Sequence, residues 1–194
     1  MQAGETVLVN GATGTAGRLA VQIAKHLGAR QVIATGRNSE ALEALPALGA
    51  DVIIPLGDDE ANTENVIKEQ FAAGVDVVID YLWGRSAERL LIAGARAGRD
   101  AVPIRFVQVG AASGTDITLP AAVLRSSAIT LMGSGIGSVP LDRMLHAIDA
   151  LLRATVQAGF QIRSTPVPLS DLERAWGDDD STRRTVFIAD APTS

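Results

Sequence analysis

Residues 4–25 read G-E-T-V-L-V-N-G-A-T-G-T-A-G-R-L-A-V-Q-I-A-K. An apolar run, Thr6–Asn10, ends in a cluster of small residues. An amphipathic stretch over 14–27 follows, with Leu19, Ile23 and Leu27 on one helical face. Gly28 then supplies a helix stop. A buried strand, a tight turn and a helix are the order that these patterns predict.

The same rhythm continues downstream. Further strands are expected at 31–35, 51–55, 75–80, 104–110 and 128–133. Helices are expected at 39–48, with Ser39 as N-cap, and at 60–73, 86–97 and 141–154. Strands alternating with crossover helices predict a parallel sheet covered on both faces. With six strands, the expectation is an α/β doubly wound (Rossmann) fold of order 3-2-1-4-5-6. After about Thr155 the rhythm breaks, which divides the chain into 1–155 and an irregular C-terminal segment, 156–194. That segment contains Pro166 and Pro168, a short helix at 171–176 and a last strand at 184–189.

Composition narrows the function. The chain has 194 residues, enough for one ordinary core, and is 47% hydrophobic with only 4% aromatic residues, which suits small side chains at helix–sheet contacts. A formal charge of −5 leaves no basic stripe for nucleic acid. There is no cysteine, so thiolate and disulfide chemistry are excluded. No apolar run approaches a membrane span, and a cytoplasmic location without membrane contact is expected.

The turn after the first strand aligns with the dinucleotide pattern as Ala12-x-Gly14-x-x-Gly17, with Gly11 in addition. Ala12 permits a tight turn, Gly14 lets backbone approach a diphosphate, and Gly17 lets the helix press on the sheet. The helix N-terminus offers unpaired N–H groups and a partial positive charge to phosphate. About 20 residues further on, where an NAD site carries Asp or Glu, stand Gly36 and Arg37. A carboxylate there would repel a 2′-phosphate, whereas a guanidinium pairs with it through two donors. NADP(H) is therefore the expected cofactor, with Arg37 on the 2′-phosphate and Thr35 and Asn38 beside it.

The segment G-E-T-V-L-V-N-G-A-T-G-T-A-G-R-L-A-V-Q-I-A-K-H-L-G-A resembles the cofactor domain of medium-chain dehydrogenases/reductases, in their zinc-independent quinone oxidoreductase branch. A-L-G-A-D-V-I-I at 47–54, G-V-D-V-V-I-D at 74–80, F-V-Q-V-G at 106–110 and L-R-S-S-A-I-T-L-M-G-S-G at 124–135 extend the likeness over nearly the whole chain. The resemblance implies hydride transfer from NADPH to a quinone or an α,β-unsaturated carbonyl. It places the diphosphate on Gly14, Thr15 and Ala16. Asp80, Tyr81 and Leu82, with Gly110 and Ala111, would border the ribose and nicotinamide, and Ser134, Gly135 and Ile136 the carboxamide. Asp80 reads equally well as a strand-end carboxylate bonded to its own loop. Two positions depart from the pattern: Ala41 where a lysine often meets the 2′-phosphate, and Leu56 where a tyrosine often stands.

In that family a GroES-like catalytic domain precedes the cofactor domain, so by resemblance this chain is the cofactor half alone and its catalytic residues are unassigned. Any zinc belongs to the other half. Asp178–180 reads as a solvated loop in preference to a metal site. The segments 160–169 and 184–189, which the family returns to the catalytic domain, are expected to pair with each other, pair with a second chain or lack order. The apolar edge strand 128–133 is expected to join a second copy in a homodimer.

A short-chain reductase needs a Tyr-x-x-x-Lys pair. The single tyrosine, Tyr81, is followed four residues on by Arg85, which removes that class. A non-enzymatic NADPH-binding redox sensor remains as the alternative.

Overall fold

The computed structural model describes residues 1–57, 60–177 and 183–189. Strand β1 (Thr6–Asn10) lies inside a six-stranded sheet with β2 (Gln31–Gly36), β3 (Val52–Pro55), β4 (Val77–Asp80), β5 (Ile104–Gln108) and β6 (Ile129–Gly133). The sheet order is β3-β2-β1-β4-β5-β6, and every pairing is parallel. This is the doubly wound order that the alternating sequence pattern predicts.

A strand buried on both faces needs apolar side chains at every position rather than at alternate ones. β1 meets that requirement with Val7, Leu8 and Val9, all fully buried. Leu8, Ile33, Val78 and Phe106 face one core, packed with Ile67 and Phe71 of α3 (Glu60–Ala73) and Leu90 and Leu91 of α4 (Gly84–Ala97). Val7, Val9, Val32 and Ala34 face the other, under Ala20, Val21 and Ala24 of α1 (Thr15–His26) and Leu42 of α2 (Ser39–Glu43).

Several boundaries differ from the sequence expectation. The second helix breaks after Glu43, and a 3-10 turn follows at Pro46–Leu48, because Pro46 has no N–H to continue the ladder. Its N-cap is Asn38 rather than Ser39: the Asn38 side-chain oxygen accepts the Ala41 N–H at 2.9 Å. A five-residue helix, α5 (Ala121–Arg125), has too few residues to show a period. Helix α6 (Leu141–Ala158) runs past 155 and stops at Gly159, whose φ of 63° supplies the left-handed C-terminal residue. The expected boundary at 155 thus falls inside a helix.

The tail forms its own small sheet. Strands β7 (Ser164–Pro168) and β8 (Arg184–Ile188) pair in parallel with each other and not with the central sheet. Of the three outcomes expected for these segments, mutual pairing is the one found. Helix α7 (Leu172–Ala175) lies between them, and Trp176 stacks on Phe187 with ring centroids 6.1 Å apart. Gln22 of α1 ties the tail down: its amide donates to the Gln161 carbonyl at 2.9 Å and accepts the Gln161 N–H at 2.7 Å. His26, at the C-terminal end of α1, meets Phe160 edge-on. No described helix is long and apolar enough to cross a membrane.

Candidate functional site

The loop between β1 and α1 is held in place by contacts that only glycine allows. At Gly17 an added Cβ would strike the Gly11 carbonyl oxygen and the Ala12 Cα, so the helix sits directly against the loop. At Gly14 an added Cβ would meet nothing within 4 Å, because that position faces open space. Gly14 is the N-cap of α1, with no side-chain cap and no acidic residue in the first turn. The first amides of the helix therefore have no intrahelical acceptor, and the N-terminus keeps its positive end.

These residues line a cavity of about 510 Å³. It brings together Gly14, Thr15, Ala16, Gly17, Gly36 and Arg37 from the first two strand–helix turns, with Tyr81 and Leu82 from the end of β4. Gly11, named with the turn, lines the same wall; the sequence reading missed Thr13 and Ala112 there, and above all Arg183, Arg184 and Thr185 from the tail. Arg37, Arg183 and Arg184 form no ion pair among the described residues, so three arginines line the cavity without a counter-charge from those residues. Arg18, in the first turns of α1, is only 8% exposed. Burial, and after it the charge of Arg163, holds its pKa below the usual arginine value.

Other expected site residues lie beneath or beside this cavity. Ala12 is buried in the core on the α1 side. Thr35 is fully buried; its hydroxyl donates to Asn10 Oδ1 at 2.6 Å and accepts the Gly11 N–H at 3.3 Å. It shapes the turn from below, and its side chain does not stand beside Arg37 in solvent. Asn38 is exposed and spends its side-chain oxygen on capping α2. Asp80 is fully buried, accepting from Asn10 Nδ2 at 2.7 Å, from the Leu82 N–H at 3.0 Å and from the Trp83 N–H at 3.1 and 3.2 Å. That is the geometry of a carboxylate holding its own loop. Burial raises its pKa despite these donors. Burial likewise pushes up the Tyr81 phenol.

Gly110 packs its backbone against Tyr81, where an added Cβ would lie 2.7 Å from the Tyr81 carbonyl oxygen. Ala111 lines a second cavity, at the C-terminal ends of β5 and β6. Ser134, Gly135 and Ile136 line neither; the Gly135 N–H donates to Ser138 Oγ at 2.8 Å, and Ile136 is 99% exposed.

Among the described residues no group of three or more His, Asp or Glu could hold a metal ion. The Asp178–180 run lies outside the described residues. The glycine loop, the open space at Gly14 and the bordering guanidiniums fit a phosphorylated dinucleotide.

Comparison with known proteins agrees with this geometry. Residues 16–153 match the zinc-binding dehydrogenase family. A probable NADPH-dependent quinone reductase of Emericella nidulans is 31% identical over 95% of this chain, which spans 54% of that protein. A quinone oxidoreductase of Pseudomonas syringae pv. Tomato DC3000 superposes with a TM-score of 0.72 at 22% identity, covering 97% of this chain and 57% of that one. A mycobacterial protein complexed with NADPH superposes with a TM-score of 0.70 at 23% identity, covering 90% of this chain and 52% of that one. The chain thus spans about half the length of each of these three proteins. The family description names zinc; this chain has no cysteine, and among its described residues no cluster of His, Asp or Glu fits one. The chain belongs to the zinc-binding dehydrogenase family of the medium-chain dehydrogenase/reductase superfamily, as a quinone-reductase-like cofactor domain.

Proposed function

We propose that the chain binds NADP(H) and serves a reductase that passes hydride to a quinone or an α,β-unsaturated carbonyl. The observation that carries this reading is the pairing of an open glycine loop with Arg37 where an NAD site would place a carboxylate. The Emericella relative, a probable NADPH-dependent quinone reductase, and the NADPH-bound mycobacterial neighbour support the choice of cofactor.

In this reading the amides of Thr15, Ala16 and Gly17 hold the diphosphate, and Arg37 takes the 2′-phosphate. Arg183 and Arg184, reaching in from the tail, add cationic contacts to the diphosphate. Tyr81 and Leu82 flank the path toward the nicotinamide, and Asp80 keeps their turn rigid. When bound, the reduced nicotinamide supplies the hydride, and the protein orients it and excludes water. The segment 156–194 is proposed to meet the remainder of a longer reductase as well. A cysteine-free chain drawing on NADPH fits a cytoplasmic setting.

A homodimer is part of the proposal. β6 ends the sheet, and its Leu131 and Met132 are 36% and 40% exposed, as an edge awaiting a partner strand would be. Light scattering at high protein concentration tests this, and a monomer there refutes it.

Titrating the full chain with NADPH and NADH in parallel tests the cofactor reading. Tighter NADPH binding is expected; equal or tighter NADH binding overturns it. Turnover with a quinone would then separate an enzyme from a sensor module.

A further inference from the structure

Helix α1 carries a charge that the fold neither exposes nor pairs. Arg18 is more than nine-tenths buried, yet no hydrogen bond or ion pair among the described residues engages its guanidinium. Every described side-chain nitrogen that is sealed from solvent has a partner, so the Arg18 nitrogens hold the little surface that the residue keeps. The stem is covered and the charged tip reaches an opening, as long cationic side chains arrange themselves.

That opening lies between α1 and the tail. Gln22, one turn after Arg18, donates to the Arg18 carbonyl at 3.2 Å and holds Gln161 through two further hydrogen bonds. The anchor brings Arg163, two residues beyond Gln161, within electrostatic reach of Arg18. Arg163 is fixed from its other side, since its carbonyl accepts the Arg184 N–H at 2.9 Å. Among the described residues no carboxylate pairs with Arg18 or Arg163. A desolvated guanidinium beside a second one is costly until an anion joins them.

The crevice adjoins the dinucleotide cavity without being part of it. Thr15, Ala16 and Gly17, just before Arg18, line that cavity, as does Arg184, whereas Arg18 and Arg163 do not. Two guanidinium groups carry two charges and present flat forks of donors. A phosphate dianion meets both charges and offers oxygens to each fork, whereas a single carboxylate leaves one charge unmet.

We propose that Arg18 and Arg163 form a second oxyanion site, seating one phosphate group between α1 and the tail, beside the dinucleotide cavity. The phosphate belongs to a molecule other than the cofactor. The inference rests on the reading that the first cavity takes the dinucleotide.

The test is calorimetric titration of the full chain with inorganic phosphate in phosphate-free buffer, with and without saturating NADP⁺. One phosphate is expected to bind the NADP⁺-saturated chain and to raise its melting temperature. Arg18→Met keeps the covered stem and removes the charge; it is expected to weaken phosphate about tenfold, the loss of one charge-assisted contact. Without phosphate that variant should melt at or above the wild-type temperature, because an unpaired charge has gone; a merely structural arginine would lower it. Arg163→Ala, at an exposed position, should weaken phosphate as well and keeps the test open if Arg18→Met does not fold. Absence of phosphate binding, its loss when NADP⁺ is present, wild-type affinity in either variant, or a lower melting temperature of Arg18→Met without phosphate overturns the proposal. Failure of NADP⁺ to bind strikes the cofactor reading instead, and the two variants still decide on phosphate alone.

Discussion

Removing the Arg37 guanidinium is expected to abolish the preference for the phosphorylated cofactor and to leave the rest of the molecule alone. Arg37 is exposed and has no ion-pair partner among the described residues, so Arg37→Ala should change stability by less than about 0.5 kcal/mol. A hydrogen bond to a charged group contributes about 1.5–3 kcal/mol net. Exposure and salt screening put this one at the low end, about 1.5 kcal/mol, or roughly tenfold in Kd. Isothermal titration of wild type and variant with NADPH and NADH reads both affinities directly. NADPH should weaken about tenfold and NADH should not move, and the difference should shrink at higher salt. Arg184→Ala is the control, since a cation on the diphosphate serves both cofactors and its loss should weaken both alike. If Arg37→Ala weakens the two by the same factor, or neither, the guanidinium does not sense the 2′-phosphate and the argument from its position fails.

Four further outcomes follow from the same structure. Gly17→Ala forces a methyl group onto the Gly11 carbonyl and the Ala12 backbone; overpacking of this kind costs about 1–3 kcal/mol, and both melting temperature and NADPH affinity should fall. Gln22→Ala removes both hydrogen bonds to Gln161, and hydrogen exchange at the Gln161 amide should accelerate while the central sheet stays protected. Burial disfavours the charged form of Asp51, but the Lys25 ammonium and the Val32 N–H together outweigh it and lower its pKa. Its stabilisation is therefore present above the unfolded carboxylate value of about 3.9 and lost as pH falls through the lower folded value; Asp51→Asn should flatten that acid limb in pH-dependent melting. Asp80 has the opposite sign: burial raises its pKa, so its contribution is present below about 3.9 and lost as pH rises through the folded value, and Asp80→Asn should remove that decline.

The parts of the site that sequence reveals are those whose mechanics are local. Gly14 and Gly17 belong to one strand–turn–helix unit, so their spacing alone carries the loop, the helix start and the close packing. Arg37 is legible for the same reason, since it directly follows the next strand. Arg183–Thr185 line the same cavity only because the tail folds back, tied by Gln22 to a residue 139 positions away, and no local pattern encodes that return. A trace of it was present in the adjacent arginines of a tail that otherwise lacked a rhythm. Trp83 packs on the core, and only its backbone angle, φ 57°, sets it apart from an ordinary packing residue. At Thr35 a hydroxyl at a strand end reads as a ligand contact, whereas the register puts it opposite Asn10.

That register explains why the strand ends are polar at all. Thr35, Asn10 and Asp80 lie side by side across β2, β1 and β4, and all are fully buried. Asn10 Oδ1 accepts from Thr35 and, at 3.0 Å, from Ser86, while its amide donates to Asp80. Among the described residues no buried side-chain nitrogen or oxygen lacks a partner. Three apolar residues could fill this volume, but the N–H groups of Gly11, Leu82 and Trp83 would then lose the side-chain oxygens they meet, a desolvation cost of about 1–3 kcal/mol for each group left buried and unmet. Those three amides set the glycine loop on one side of the cofactor cavity and the turn of β4 on the other. The polar strand ends therefore do more than tolerate burial: through them the rigid sheet fixes the separation of the two turns before any ligand arrives, which is the condition for binding without an ordering cost.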